Sequence, residues 1–461
     1  MRFFTFFLFL IFTTSNFAQQ AEAFSKHHLI DSLLQESYRR GIFNGNALVA
    51  VNGEIVYQKA IGYADASKNT LLNNELRFNI GSISKEFDGL GIMILKEEGA
   101  LSLDDSLSTY FPDLPKWADR VKVKHLLQYT SGIPAPSYDN IRTDAEVWEY
   151  LQDLKELKFT PGSDYDYNNA NVYLRKRIIE KASGMSYSDF VQEKMLKPCG
   201  MKNSVIDPNT NTPQFTRSFD ENNVEDDLDT YMSGWVALNT EDMYKWVQCL
   251  NSNKLIKQES LEELSQSFKP SSQSPLGLSA FDNGELQFRY HHGQNDNFEA
   301  GVAWIPNPGH TIILLTNNRC NELGDHINAI DAILRGQDFS IPKRSIELSL
   351  RAKIFHNGYD AGIKFLKEIR DHQADVFNFG QEEKELINTG TWLLEKGKNE
   401  AGLKILKLTG KKFPESSRAN LELAKTYEKT GKNKLAIEYY QKVAEQNPEN
   451  KMATAKLAEL Q

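Results

Sequence analysis

Ser82-Ile83-Ser84-Lys85 sets a hydroxyl and an amine three residues apart. On a helix, positions i and i+3 share a face, so the two side chains can meet. A serine hydroxyl is a poor nucleophile until a neighbouring base takes its proton. A lysine can be that base where burial or a second cation disfavours its charged form. The first turn of a helix also offers unpaired N–H groups, which favour an oxyanion. Together these are the conditions for acyl transfer through a serine. The spacing alone is a weak signal, since ordinary composition produces such matches by chance. Ser340-Ile341-Pro342-Lys343 is a second match, but its internal proline and linker setting work against a shared helical face.

The surrounding elements separate the two matches. Phe24, Leu29, Ile30, Leu33 and Leu34 recur at helical spacing and predict a helix over residues 22–40. Ala47–Val51 and Glu54–Ile61 read as strands joined by the turn dipeptide Asn52-Gly53. Gly81 then opens a predicted helix over Ser82–Glu98, ended by Gly99. Residues 100–270 read as mostly helix and loop. Strand patterns return at Leu286–His292, Glu299–Ile305 and Thr311–Thr316, and a helix is expected over Asn321–Leu334. Strands from both ends of this region must pair in one sheet. The expected fold is α+β: an antiparallel sheet flanked by helices, with a helical insertion domain, followed by an α-helical repeat domain.

In that setting, Phe78-Asn79-Ile80-Gly81-Ser82-Ile83-Ser84-Lys85-Glu86-Phe87 resembles the nucleophile motif of class C β-lactamases and of related D-Ala-D-Ala carboxypeptidases and esterases. Three further stretches are similar in the same order. His125-Leu126-Leu127-Gln128-Tyr129-Thr130-Ser131-Gly132-Ile133-Pro134 resembles the family's HLLxHTSGLP segment, with Tyr129 where histidine is usual. Pro161-Gly162 leading to Tyr167-Asn168-Asn169 resembles its Y-x-N motif. Tyr290-His291-His292-Gly293 resembles the strand motif that reads K-T-G in β-lactamases and H-x-G in many peptidase and esterase relatives. Tyr138-Asp139-Asn140 also fits Y-x-N, but it follows Pro134 and Pro136 in a loop, whereas Tyr167 precedes a helical segment.

The resemblance implies a penicillin-recognising serine hydrolase over residues 22–336 and a set of roles. Ser82 is the nucleophile that forms an acyl-enzyme. Lys85 and Tyr167 manage the proton, with the base left open between them. Asn169 contacts the substrate amide and Lys85. The backbone N–H groups of Ser82 and Gln294 form the oxyanion hole. His291, His292 and Gly293 complete the substrate-binding set. A histidine is at best partly charged near neutral pH, so His291 in the lysine position favours a peptidase or esterase over a true β-lactamase. Trp235, in a further stretch similar to the family, is expected to pack first and touch substrate second. The competing expectation is a weak or inactive scaffold whose tail binds a protein partner.

The rest of the chain sets bounds. A formal net charge of -9 argues against nucleic-acid binding, which needs clustered cations. No metal-ligand spacing appears, so neither a metal nor a cofactor is expected. Met1–Ala18 reads as a signal peptide of an exported, periplasmic or secreted protein, with no other apolar run long enough to cross a membrane. The three cysteines, Cys199, Cys249 and Cys320, lack paired spacing and are expected as buried or partly buried thiols. Residues 337–344 read as a linker. Beyond it, over 345–461, Gly397-Lys398-Asn399 matches Gly431-Lys432-Asn433, and Phe413-Pro414-Glu415 matches Asn447-Pro448-Glu449. That spacing is the tetratricopeptide period, with about three repeats expected and a possible protein partner on them. A small-molecule or peptide substrate is expected for the first domain.

Overall fold

Positive φ angles at Asn52 and Gly53, 50° and 87°, turn the chain between β1 (Gly45–Val51) and β2 (Glu54–Ile61). This is the hairpin that the Asn-Gly dipeptide predicts. It belongs to a computed structural model that describes residues 25–136, 141, 143–227, 232–270, 272–283, 285–319 and 323–460. The expected signal segment, the rival Tyr138 motif and Cys320 lie outside the described residues.

Helix α1 spans residues 25–39 and precedes the hairpin. After β3 (Phe78–Asn79) the chain makes a 3-10 turn, Gly81–Ser84, and continues as α2 (Lys85–Glu97). The insertion carries α3 (Leu107–Tyr110), α4 (Val123–Leu127), α5 (Asp144–Asp153), α6 (Asn169–Ser183), α7 (Tyr187–Val191) and α8 (Lys197–Cys199). Then come β4 (Val205–Ile206), β5 (Val236–Leu238), α9 (Thr240–Asn251) and α10 (Gln258–Ser265). β6 (Leu278–Asp282), β7 (Glu285–Asn295), β8 (Phe298–Ile305), β9 (His310–Thr316) and α11 (Leu323–Leu334) close this part. The six-stranded antiparallel sheet runs β2-β1-β9-β8-β7-β6, so β1 pairs with β9 across most of the chain. A three-stranded sheet runs β3-β5-β4.

Each face of the main sheet has its own core. Leu48, Ala300, Val302, Ile313 and Leu315 join α2 and the insertion on one side. Ala47, Val49, Ala303, Ile312 and Leu314 join Ile30, Leu33 and Leu34 of α1 and Ile327 and Ile330 of α11 on the other. Adjacent residues alternate between the two clusters, as the two-residue period of a strand requires.

Two expectations need correction. Residues 100–270 are mostly helix and loop, as expected, but the strand set is larger than expected: β4 and β5 lie within that stretch, β3 before it and β6 after it, and β3, β4 and β5, of two or three residues each, are too short to show alternation in sequence. The cysteines are not all thiols. Cys199 at the end of α8 and Cys249 in α9 form a disulfide with Cα atoms 5.7 Å apart. They are 50 residues apart in sequence, so only the packing of the insertion brings them together. Closing a loop of that length stabilises the fold by about 4 kcal/mol in the chain-entropy account.

Of two compact units, one takes in most of the chain up to Ile341, and the second takes in the residues from Pro342 on together with Arg40–Ile42. The second unit is helical: α12 (Ile346–Asn357), α13 (Tyr359–His372), α14 (Glu382–Glu395), α15 (Asn399–Lys412), α16 (Ser417–Lys429), α17 (Asn433–Gln446) and α18 (Lys451–Leu460). Consecutive helices pair as hairpins around cores that include Leu386 and Ile405 in one cluster, and Leu406, Leu423 and Tyr440 in the other. Gly397 and Gly431 sit at equivalent turns, each with positive φ.

Candidate active site

Gly81 is where the nucleophile turn is made. Its φ of 52° is a conformation that side chains other than glycine resist. A Cβ there would also lie 2.3 Å from the Gln294 backbone nitrogen. Gly293 is held as closely from the strand side, since a Cβ on it would lie 1.9 Å from the Ile80 carbonyl oxygen. The backbone of β7 at Gly293 and Gln294 thus lies against the turn that carries Ser82. The smaller sheet fixes that turn from below: Ile80 N–H donates to the Val236 carbonyl at 3.0 Å, and Val236 N–H to Ser84 Oγ at 3.0 Å.

The turn is 3-10 through Ser84 and α-helical from Lys85, rather than one helix from Ser82. Residues three apart eclipse in a 3-10 turn, which aligns Ser82 with Lys85 more closely than an α-helix would. Lys85 Nζ lies 2.8 Å from Ser82 Oγ, a donor–acceptor distance at which a proton can pass between them. Lys85 is 4% exposed. Its Nζ stands 5.2 Å from the centroid of the Tyr167 ring and 5.7 Å from that of Trp235.

Tyr167 and Asn169 flank Asn168, whose φ of -151° and ψ of 159° are extended. Side chains two apart across an extended residue point to one side. Asn168 caps α6, accepting the Ala170 N–H at 3.1 Å, and its amide donates to the Ile133 carbonyl at 3.0 Å. Ser131 Oγ donates to Asn171 Oδ1 at 2.6 Å. The Thr-Ser-Gly stretch therefore braces the start of α6 and, with it, Tyr167. Asn169 and Lys85 line a small shared pocket, walled by Val172, Met232, Gly234 and Trp235.

The sequence reading missed what stands under Tyr167. The Tyr129 ring packs on it at 4.6 Å between centroids. Arg175, fully buried, donates to Tyr129 Oη at 3.2 Å and to the Leu126 carbonyl at 2.7 Å, and it pairs with Asp88. Burial raises the pKa of Asp88, against the pull of Arg175, Lys176 and Lys85. Burial also pushes the Tyr129 phenol up. Lys176 donates to the Ser233 carbonyl, and burial lowers its pKa. Asp88, one turn beyond Lys85, joins α2 to α6. Tyr129 lies in a stretch the sequence singles out, but no motif marks Arg175 or Lys176 as partners there, because their separations are set by packing.

The two histidines do not line the cleft together. His291 lies on the face of β7 that Gly293 turns to the nucleophile turn, but it is 2% exposed, and its Nδ1 lies 2.8 Å from Glu86 Oε1 of α2. His292 turns to the opposite face of β7, where Nε2 lies 2.7 Å from Glu299 Oε1, which also accepts the Leu323 N–H at 2.9 Å. Neighbours on a strand point to opposite faces, so both could not face one substrate. Both rings hold elements together where substrate contact was expected. The second Ser-x-x-Lys match is not helical: Ser340–Lys343 is irregular, and Lys343 donates to the Ala374 carbonyl. Among the described residues no cluster of histidine, cysteine or carboxylate side chains could hold a metal.

The sequence profile of the family described as Beta-lactamase matches residues 22–334, and that of the tetratricopeptide repeat matches 417–450. Protein flp of Staphylococcus aureus (strain MW2) is 27% identical over 332 residues, 65% of either chain. This chain thus spans less than two thirds of that relative's length. Penicillin-binding protein 4* of Bacillus subtilis (strain 168) is 26% identical over 372 residues, covering 71% of this chain and 80% of the relative. The crystal structure of D-amino acid amidase from Ochrobactrum anthropi SV3 superimposes with a TM-score of 0.57 at 20% identity, over 68% of this chain and 99% of that one, which establishes a shared fold. With the profile covering most of its length, the chain belongs to the β-lactamase family of serine hydrolases and penicillin-binding proteins, and it carries a C-terminal tetratricopeptide repeat.

Proposed function

We propose that the protein is an active serine hydrolase that cleaves a small amide or ester through an acyl-enzyme on Ser82. The observation that carries this reading is the 2.8 Å contact between Lys85 Nζ and Ser82 Oγ, with the Tyr167 ring beside the same nitrogen. In the reaction, Ser82 Oγ attacks the carbonyl carbon as its proton passes to Lys85 or Tyr167. The oxyanion is held by the N–H groups of Ser82 and Gln294. Collapse of the tetrahedral intermediate expels the amine or alcohol, which takes up that proton. Water then cleaves the acyl-enzyme by the same route in reverse. A peptidase or esterase role is favoured over β-lactam hydrolysis, because His291 is turned toward Glu86. The D-amino acid amidase that shares the fold is a precedent for amide substrates.

The protein acts outside the cytoplasm in this reading. The amino-terminal pattern favours export, and disulfides such as Cys199–Cys249 persist in oxidising compartments. The helical hairpins after Pro342 supply a surface for a protein partner alongside catalysis.

A fluorescent fluorophosphonate tests the central point. Wild-type protein is expected to be labelled at Ser82, and Ser82→Ala to remain unlabelled. Equal labelling of both, or none of the wild type, overturns the proposal. A panel of p-nitrophenyl esters, D-Ala-D-Ala peptides and nitrocefin then identifies the substrate class.

A further inference from the structure

The His291 position faces the nucleophile turn, yet its ring is committed elsewhere. Glu86 follows Lys85 in α2 and is 4% exposed. Its Oε1 lies 2.8 Å from His291 Nδ1, and its Oε2 accepts the Trp246 indole N–H at 2.6 Å. The Trp246 ring stacks on Phe87 with centroids 4.1 Å apart, so the carboxylate sits at a junction of α2, α9 and β7. Both of its oxygens are occupied.

Of the other cations of this region, two are engaged, Arg289 is buried with its Nη1 unpartnered, and Lys269 is half-exposed. Lys85 is on Ser82, and Lys176 is on the Ser233 carbonyl. Arg289, on the same face of β7 as His291, is 4% exposed and reaches Asn251 Oδ1 at 3.4 Å. Lys269 stands near the Tyr165 ring, 3.9 Å from Asp164. A substrate carboxylate beside the scissile bond would find no open positive charge at the His291 position, where the ring is turned to Glu86.

We propose that Glu86 is a specificity-determining residue. By holding the side chain at position 291 beneath the cleft, it selects amides and esters whose leaving group carries no carboxylate. This rests on the serine hydrolase reading above and names its substrate class.

The test uses two phenyl esters of phenylacetylglycine, one with phenol and one with 3-hydroxybenzoate as leaving group. Ratios of kcat/KM are corrected for the hydroxide-catalysed rates. The wild type is expected to favour the neutral ester by at least about tenfold. His291→Lys alone is expected to leave the ratio within about threefold, since Glu86 pairs with the new ammonium as it does with the ring. Glu86→Gln combined with His291→Lys is expected to move the ratio at least about tenfold toward the carboxylate ester, mainly through KM. A wild type that prefers the carboxylate ester, or a shift produced by His291→Lys alone, overturns the proposal. The wild-type ratio decides the matter if the double variant does not fold. Fluorophosphonate labelling of the same samples separates the two readings. An unlabelled wild type contradicts the hydrolase assignment, whereas a labelled protein with carboxylate preference contradicts only the role of Glu86.

Discussion

The Tyr167 ring rests on a buried support. Arg175 and Asp88 form a fully buried ion pair under Tyr129, and Tyr129 in turn supports Tyr167. Breaking one side of such a pair leaves an uncompensated buried charge, which costs about 3–5 kcal/mol. Arg175→Met is therefore expected to lower the unfolding free energy read from a urea titration by that order. Adding Asp88→Leu is expected to restore part of the loss, because the stranded carboxylate is gone. An Arg175→Met protein as stable as wild type would show that the pair is not a structural anchor.

At the scale of elements, α11 carries a second liability. His326 is fully buried, with its ring 5.7 Å from that of Phe43. Neither ring nitrogen has a hydrogen-bond partner among the described residues. Burial lowers its pKa from 6.5 to about 3. The unfolded chain takes up this proton as pH falls through 6.5, whereas the folded ring stays neutral down to about 3. Stability from this site is thus complete above pH 6.5 and is lost progressively as pH falls toward 3. The loss is on the order of 4 kcal/mol over that window. His326→Phe is expected to flatten the fall of Tm between pH 6.5 and 4, and an unchanged slope would rule this group out as the cause. The disulfide acts on other elements, tying α8 to α9, whose Trp246 reaches Glu86.

For the whole molecule, the division at Pro342 separates chemistry from repeats. Every residue assigned to the site lies before Ile341, and the helical unit has its own cores. A chain ended after Ile341 is expected to keep fluorophosphonate labelling of Ser82 within about threefold, since the acyl-transfer groups are all retained. It is expected to lose any partner that the full chain captures through the repeats. Loss of labelling on truncation, in a protein that remains folded by circular dichroism, would show that the helical unit contributes to catalysis.

Local signals in the sequence determined much of this. The Asn52-Gly53 hairpin, the later strands, the helical tail and the Ser82-Lys85 spacing were legible, because turn chemistry and periodicity act over a few residues. The helix that follows Tyr167 was legible as well, whereas the rival Tyr138 lies outside the described residues. Tertiary structure decided the rest. The strands β3, β4 and β5 exist through their pairing and are too short to announce themselves. His291 and His292 looked like one motif, yet strand alternation sent one to Glu86 and the other to Glu299. The partners Glu86–His291, Asp88–Arg175 and Cys199–Cys249 are 205, 87 and 50 residues apart. At such separations a residue's neighbour is chosen by how helices pack on the sheet, which no local pattern records.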